Sequence, residues 1–211
     1  KSRKEWEVPS VAVAVVFDDG ILWWKGFGEL SAGAGAPNRD TIYAIGSTTK
    51  AFAAATLAMI VDDRKVDWDS RVVDHLPSFQ MHDSWVAREM RVADLLAQHP
   101  GIPKQSFSLL GALGYSPITI TRALRWVEPD SSFRTEFSYV NSLHIVAGDL
   151  AAQELEFPSW EACLQAKILE PIGMSRTSWT AAGLEGDSNH APGHATIDGQ
   201  VKAIQAGPFP Y

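Results

Sequence analysis

Two apolar runs near the start of the chain predict a pair of β-strands. Residues 11–17 and 21–27 are rich in β-branched and aromatic residues, and Asp18-Asp19-Gly20 between them is typical of a tight hairpin turn. Trp23 and Trp24 are adjacent, so their side chains face opposite sides of the predicted sheet. The sequence therefore predicts a hairpin in a sheet that is covered on both faces.

Helical patterns dominate the chain after this hairpin. Residues 31–40 form a loop rich in glycine, alanine and proline, and residues 41–45 form a short extended segment. The run at residues 51–61 is apolar nearly all round, which predicts a buried helix. Further helices are predicted at residues 92–97, 120–127, 143–155 and 159–169, and a short strand is predicted at residues 200–204.

The order of these elements predicts an α+β fold in three parts. Residues 1–61 form the first part of an α/β lobe, residues 62–170 form a mostly helical lobe, and residues 171–211 begin a return to the α/β lobe. Two apolar strands make a poor sheet by themselves, because an isolated hairpin is at best marginally stable in water. We therefore expect the sheet to lack its C-terminal strands, and a longer protein, a second chain or an oligomer to complete it.

Charge and composition narrow the set of partners. The net charge of the 211-residue chain is −7, without a dense basic cluster, which argues against a nucleic acid or an anionic membrane. No apolar run is long enough to span a membrane.

Cys163 is the only cysteine, so no disulfide can form within the chain. His190 and His194 are four residues apart and could hold a metal from one helix, but Pro192 and Gly193 between them disfavour a helix. We therefore predict that both are solvated loop histidines, and that the protein uses no metal and no cofactor.

Ser47 and Lys50 carry the strongest chemical signal in the sequence. They are the only serine and lysine with this order and spacing of three, and they open the apolar helix. The spacing puts both side chains on one helix face, and the hydroxyl lies near unpaired N–H groups that favour negative charge. A partly desolvated lysine there can accept a proton. The alternative is a helix-capping serine beside a solvated lysine, but a cation at a helix N-terminus is unfavourable and so indicates a chemical role.

Tyr139 and Asn141 form a second pair, two residues apart, before the helix predicted at residues 143–155. From an extended segment, both side chains can point into one cavity. A tyrosine beside a lysine ammonium is shifted toward phenolate and could take the serine proton, while the asparagine could bind a substrate carbonyl or orient the lysine. Taken alone, they would be a packed aromatic and a helix cap, but the Ser47–Lys50 pair favours the chemical interpretation.

These motifs resemble the serine β-lactamase and penicillin-binding-protein superfamily, in its class C-like branch. That branch also contains D-alanyl carboxypeptidases, D-aminopeptidases and family VIII carboxylesterases. The resemblance covers nearly the whole chain, and several matches in one order are far more specific than any single motif. The matching segments are residues 25–28, 45–50, 66–69, 75–77, 92–96, 139–141 and 170–174, with Thr177.

The resemblance implies both a fold and a set of roles. The fold is a β-lactamase-like antiparallel sheet flanked by helices, with a mostly helical lobe. Ser47 would be the acylated nucleophile, and Lys50 and Tyr139 would share the role of general base. Asn141 would contact the substrate. A periplasmic or secreted location is favoured by the resemblance alone.

Two departures from the family pattern stand out. Gln98-His99-Pro100-Gly101 replaces the histidine and serine that are usual after residues 92–96, and since that loop is mainly structural we expect a local adjustment. The third family motif, Lys-Thr/Ser-Gly or its His-x-Gly and Trp-x-Gly variants, is missing from its usual place on a strand beside the site. That strand supplies one oxyanion-binding N–H in the family, and loss of one such donor costs roughly 10²–10³ in rate.

The sequence therefore favours a serine hydrolase that forms an acyl-enzyme. The substrate would be an ester, a β-lactam or a small amide such as that of a D-amino acid. The Gly-x-Ser-x-Gly motif of α/β-hydrolases and the glycine spacing of a P-loop are both absent. The alternative is a non-catalytic binding protein or an inactive fragment of the same fold. The motifs leave the substrate open, because pocket differences discriminate similar substrates only weakly.

Overall fold

A computed structural model of the chain describes residues 2–108, 110 and 113–204. The chain divides into two compact units by its internal contacts. Of the described residues, the hairpin unit comprises those up to Ala44 and those from Arg176 to Ile204, and the helical unit comprises those between Ile45 and Ser175. The three-part division of the sequence stays a prediction, and residues 205–211 of its last part lie outside the described residues.

The described elements follow one another in a mixed order of short strands and helices. In chain order they are α1 (Ser2–Glu5), β1 (Ser10–Phe17), β2 (Gly20–Gly28), a 3-10 turn (Gly46–Thr49), α2 (Lys50–Asp62), α3 (Val72–His75), α4 (Ser84–Glu89), α5 (Asp94–Ala97), α6 (Pro117–Ala123), a 3-10 turn (Leu124–Trp126), α7 (Asn141–Glu154), α8 (Trp160–Leu164), a π-helical turn (Gln165–Leu169), α9 (Ala181–Glu185), β3 (Gly193–Ile197) and β4 (Gln200–Ile204). Across the described residues, none of the helices combines the length and apolar character that a membrane crossing requires.

The first hairpin of the hairpin unit confirms the predicted strand pair. Strands β1 and β2 are antiparallel, and Phe17 pairs with Gly20 across a two-residue loop. Asp18 and Asp19 both have positive φ, at 48° and 58°, as a type I′ turn requires. A register shift between Val15 and Val16 interrupts the ladder.

The prediction of a sheet covered on both faces is wrong for the described chain. Phe17 and Leu22 are each 73% exposed, and Val16 and Trp23 are exposed as well. Within the described residues, β1 and β2 form a sheet of their own, which is not hydrogen-bonded to the second hairpin. Apolar strand residues with a bare edge are an unusual surface, because they invite pairing with another strand.

The second hairpin joins β3 and β4, of which the sequence predicted only the strand at residues 200–204. Gly193 pairs with Ile204, so the strand missed by the sequence begins directly after Pro192. His194 therefore lies in β3 and pairs with Ala203, which corrects the expectation of a loop histidine. The strand was missed because Gly193 and Ala195 are of types depleted in strands, which leaves only Thr196 and Ile197 as strand-favouring residues.

The core of the described chain lies in the helical unit, where α2 packs against α7. Leu57 and Ile60 of α2 and Leu143, Val146 and Leu150 of α7 are all buried. The helix predicted at residues 51–61 is thus confirmed as a core helix, although its sides away from α7 are partly exposed. This packing fixes the starts of both helices, which is where the predicted site residues lie.

Two other helix boundaries differ from the sequence prediction for local reasons. Helix α6 begins at Pro117 rather than at residue 120, because the Ser116 side chain accepts a hydrogen bond from the Thr119 N–H and proline suits the first helical position. The helix predicted at residues 159–169 begins as expected after Ser159, which caps α8, but its second half is a π-helical turn.

Candidate active site

The chain turns sharply into the first helical residues of the helical unit. Gly46 has a φ of +50°, a conformation that glycine adopts at no steric cost. Ser47 then lies in the 3-10 turn, and Lys50 is the first residue of α2. Ser47 is exposed and Lys50 is half-buried. The hydroxyl is thus accessible to a substrate while the amine is held against the protein.

Lys50 lies at the centre of the predicted site residues. Its Nζ donates hydrogen bonds to Ser47 Oγ at 3.2 Å, to Tyr139 OH at 2.6 Å and to Asn141 Oδ1 at 2.7 Å. An ammonium group has three donors, so these contacts use all of them. The structure therefore brings all four predicted site residues together around one nitrogen.

Tyr139 closes a triangle with Ser47 and Lys50. Its hydroxyl donates to Ser47 Oγ at 2.6 Å. The hydrogen bond from Lys50 is the largest cause of a lowered pKa of Tyr139, and the contact with Ser47 adds to it. A tyrosine shifted toward phenolate could accept the serine proton across the same short contact.

Asn141 is held from both ends of its side-chain amide. It is the first residue of α7, preceded by Val140 as the capping residue, so it does not cap the helix itself. Its Oδ1 accepts from Lys50, and its Nδ2 donates to Ser108 Oγ at 3.3 Å. Ser108 is a contact of the candidate site that the sequence did not reveal, because no spacing rule links two residues that lie 33 positions apart.

Three of the four residues line a cavity large enough for a small molecule. Ser47, Lys50 and Asn141 line a cavity of about 700 Å³, which continues along α7 past Ile145 to Asp149. Binding sites for small molecules typically have volumes of this order and mostly apolar walls. The nucleophile candidate thus lies at the wall of a space that a substrate could occupy.

Two half-buried titratable groups of α7, His144 and Asp149, line this cavity. Burial, with a further contribution from Glu161, raises the pKa of Asp149 to about 6. Burial, with a smaller effect of the Lys50 charge, lowers the pKa of His144 to about 4. Among the described residues, no group of three or more His, Cys, Asp or Glu side chains is arranged to hold a metal ion.

One donor for a developing negative charge is present at the serine. Within the described chain, the Ser47 N–H has no hydrogen-bond acceptor, as is usual at the first turn of a helix. It could therefore bind the oxygen of a tetrahedral intermediate. The sequence motif that would supply a second donor is absent.

A hydrogen-bonded serine, lysine and tyrosine at the start of a buried helix in an α+β fold define the serine β-lactamase and penicillin-binding-protein superfamily. The sequence profile of the β-lactamase family matches residues 2–210, and the chain belongs to that family. The resemblance inferred from the motifs and the predicted β-lactamase-like α+β fold are both confirmed.

Similar proteins are found among both sequences and solved structures. The unguisins hydrolase ungD' of Aspergillus campestris is 33% identical over 181 residues, which cover 82% of this chain and 33% of that protein. The octameric penicillin-binding protein homologue of Pyrococcus abyssi has a TM-score of 0.80 at 24% identity, over 99% of this chain and 48% of the other. A class C β-lactamase has a TM-score of 0.72 at 18% identity, over 98% of this chain and 55% of the other. The chain thus spans between a third and about half of the length of these proteins.

Proposed function

We propose that the chain carries the acylation chemistry of a serine hydrolase, with Ser47 as the nucleophile. Lys50 and Tyr139 share the role of general base, and Asn141 contacts the substrate. The observation that carries the proposal is the closed set of hydrogen bonds among Ser47, Lys50 and Tyr139, at 2.6–3.2 Å. A packed aromatic or a solvated lysine would need no such triangle, so the contacts favour a catalytic protein over a non-catalytic one.

The proposed reaction has two halves. Ser47 Oγ attacks the carbonyl carbon of the substrate while its proton passes to the Tyr139 phenolate, which the Lys50 ammonium stabilises. The carbonyl oxygen becomes an oxyanion next to the Ser47 N–H. The intermediate collapses as the leaving group takes the proton from Tyr139, which leaves an ester on Ser47. Water then attacks that ester by the same proton route and releases the acid.

The substrate class in this proposal is an ester, a β-lactam or a small amide, including that of a D-amino acid. The name of the relative from Aspergillus campestris supports hydrolysis in general, since that protein is an unguisins hydrolase. The largely apolar cavity favours a substrate with an apolar portion. A panel of p-nitrophenyl esters, nitrocefin and D-Ala-D-Ala peptides would rank the three classes by kcat/KM.

Covalent labelling tests the proposal directly. A fluorescent fluorophosphonate or penicillin should label the wild-type chain at Ser47, and Ser47→Ala should abolish the label. Ser132→Ala is a matched control, because Ser132 is exposed and does not line the cavity. Equal labelling of Ser47→Ala and wild type, or no labelling of the wild type by any probe, would refute the proposal.

We further propose that a strand from a partner completes the protein. The exposed apolar residues of β1 and β2 and the absence of a second oxyanion donor motif both support this proposal. The strand would come from a longer polypeptide that includes this chain, from a second chain or from another copy, and the homologue from Pyrococcus abyssi is octameric. Sedimentation analysis of the purified chain should show association. A monomer that unfolds cooperatively and turns over an ester rapidly would contradict this part.

A further inference from the structure

Gln98 occupies the position at which the sequence departs from the family pattern. It follows α5 with a left-handed backbone, at φ 60° and ψ 37°, and its side chain is almost fully enclosed, with 6% of the residue exposed. A buried amide needs partners for both its oxygen and its nitrogen, because unsatisfied polar groups are costly inside a protein. The partners of Gln98 lie on the segment that carries Tyr139 and on α7.

Gln98 binds the backbone on both sides of Tyr139. The Ser138 N–H donates to the Gln98 main-chain oxygen at 2.8 Å, and the Val140 N–H donates to Gln98 Oε1 at 2.7 Å. Alternate N–H groups of an extended segment point to the same edge, so one residue can accept both. Gln105 N–H donates to the Tyr139 main-chain oxygen at 2.9 Å. The backbone of Tyr139 is therefore held along both edges.

His144 fixes the orientation of the Gln98 amide. Gln98 Nε2 lies 3.2 Å from His144 Nδ1. Burial lowers the pKa of His144 to about 4, so the ring is neutral near pH 7 and its Nδ1 can accept from the amide nitrogen. Oε1 is then directed at the Val140 N–H, which needs an acceptor. The two bonds agree on a single amide orientation and connect α5, the Tyr139 segment and α7.

We propose that Gln98 is a positioning residue that aims the Tyr139 hydroxyl at Ser47 and Lys50. Gln98 touches neither of these two side chains and acts through the Tyr139 backbone. The position of the Tyr139 hydroxyl is important because displacement of a catalytic group by about 1 Å can cost roughly 100-fold in rate. The effect on rate rests on the proposed hydrolase function. The position of the Tyr139 hydroxyl can be tested without any activity, through the pKa of Tyr139.

The first test measures the ionisation of Tyr139 by NMR of isotope-labelled tyrosine. The chain has 4 tyrosines, and the signal that disappears in Tyr139→Phe assigns the residue. Gln98→Met keeps the side-chain length but removes both the acceptor and the donor. We expect the pKa of Tyr139 to rise toward its ordinary value in Gln98→Met, because the Lys50 and Ser47 contacts lengthen. An unchanged pKa of Tyr139 in a folded Gln98→Met variant would overturn the inference.

Two further variants distinguish a specific effect of Gln98 on Tyr139 from a general loss of structure. Gln165→Met is the control, because it makes the same chemical change and removes a side-chain hydrogen bond, to Glu170, at a residue that does not line the cavity. It should leave the pKa of Tyr139 unchanged. Gln98→Asn is compatible with the left-handed backbone, and its shorter amide cannot reach Val140. It should shift the pKa of Tyr139 in the same direction as Gln98→Met, and no shift would again count against the inference.

The second test measures the rate of fluorophosphonate labelling in two backgrounds. Gln98→Met should slow labelling about 100-fold in the wild type. In a Tyr139→Phe background, Gln98→Met should have no further effect on the labelling rate, because phenylalanine has no hydroxyl group to be positioned. Equal losses in both backgrounds would show a general structural role and overturn the inference. If the wild type is not labelled but Gln98→Met moves the pKa of Tyr139, the proposed hydrolase function fails and the positioning role stands.

Discussion

The helical unit and the hairpin unit differ in how far their apolar side chains are buried. Leu57, Leu143 and Leu150 of the helical unit are fully buried, whereas Phe17 and Leu22 of the hairpin unit are each 73% exposed. The difference follows from the number of elements that surround each residue, because a helix pair with neighbours encloses side chains and a two-stranded sheet does not. The helical unit has its own core, whereas many apolar side chains of the first hairpin are exposed among the residues that the structure describes.

The candidate site belongs entirely to the unit with the complete core. Ser47 and Lys50 lie at the start of α2, and Asn141 opens α7, which packs against α2. Catalytic groups need support that holds them within a fraction of an ångström, and packed helices provide it better than isolated hairpins. The comparison therefore predicts that mutations in the helical unit affect chemistry and stability far more than matched mutations in the hairpin unit.

The largest effect is expected from removal of the proposed base. Lys50→Ala and Tyr139→Phe should each reduce the acylation rate by roughly 10²–10⁴-fold, which is the usual contribution of a general base. Because the two groups are hydrogen-bonded to each other, the double variant should be little slower than either single variant. Stopped-flow or quenched labelling of Ser47 measures all three rates. Losses that multiply in the double variant would show that the two residues act independently.

A matched pair of leucines tests the comparison of cores. Leu150→Ala should lower the free energy of unfolding by about 2–5 kcal/mol, because it leaves a cavity between packed helices. Leu22→Ala should change it by less than about 0.5 kcal/mol, because an exposed side chain leaves no cavity. Urea denaturation of both variants gives the values. A large loss in Leu22→Ala would mean that the partner proposed to complete the sheet also covers the face of β2 that carries Leu22, and the comparison of the two units would then hold only for the chain without that partner.

Local rules explain why part of this molecule could be predicted from its sequence. The spacing of Ser47 and Lys50 fixes their neighbourhood on one turn of helix, and Asp18-Asp19 fixes the hairpin turn. The buried helix α2 follows from its continuous apolar run, because such a run has no polar face to present to water. Each of these features depends on residues within a few positions of one another.

Features that depend on distant residues could not be predicted from the pattern alone. Gln98 meets Val140 across 42 positions, and Ser108 meets Asn141 across 33 positions. No periodicity links such pairs, and only the three-dimensional arrangement reveals them. Strand β3 was missed for a related reason, since its hydrogen-bonded pairing with β4 outweighs its weak intrinsic preference.

One aspartate in each unit tests how ionisation of a carboxyl group changes the stability of the protein. Asp149 of the helical unit has a pKa raised to about 6, so its stabilising protonated form is lost as the pH rises through 6. Asp149→Asn should therefore stabilise the protein at pH 7, by up to about 3 kcal/mol, and change little at pH 4. Urea denaturation at both pH values measures the difference. Equal effects at pH 7 and pH 4 would contradict this assignment.

Asp187 of the hairpin unit should respond with the opposite sign. A hydrogen bond from Arg176 is the largest cause of the lowered pKa of Asp187. Its charged form therefore stabilises the fold above its ordinary pKa, and that contribution is lost as the pH falls through the lowered value. Asp187→Asn should be slightly destabilising at pH 7 and neutral in acid. The same denaturation series, run on both variants, separates the two carboxylates.

A smaller loss than that of Leu150→Ala is expected at the contact between α7 and α8. A Cβ built on Gly148 would lie 2.7 Å from Trp160 Cγ, so Gly148→Ala forces the indole to move. Overpacking of this kind costs about 1–3 kcal/mol, while the higher helix propensity of alanine returns about 1 kcal/mol. The net loss should therefore be about 0–2 kcal/mol in urea denaturation. In a Trp160→Leu background the clash is removed and only the propensity remains, so Gly148→Ala should become neutral or stabilising. A loss of the same size in both backgrounds would show that Gly148 is needed for its backbone and not for the close approach of the two helices.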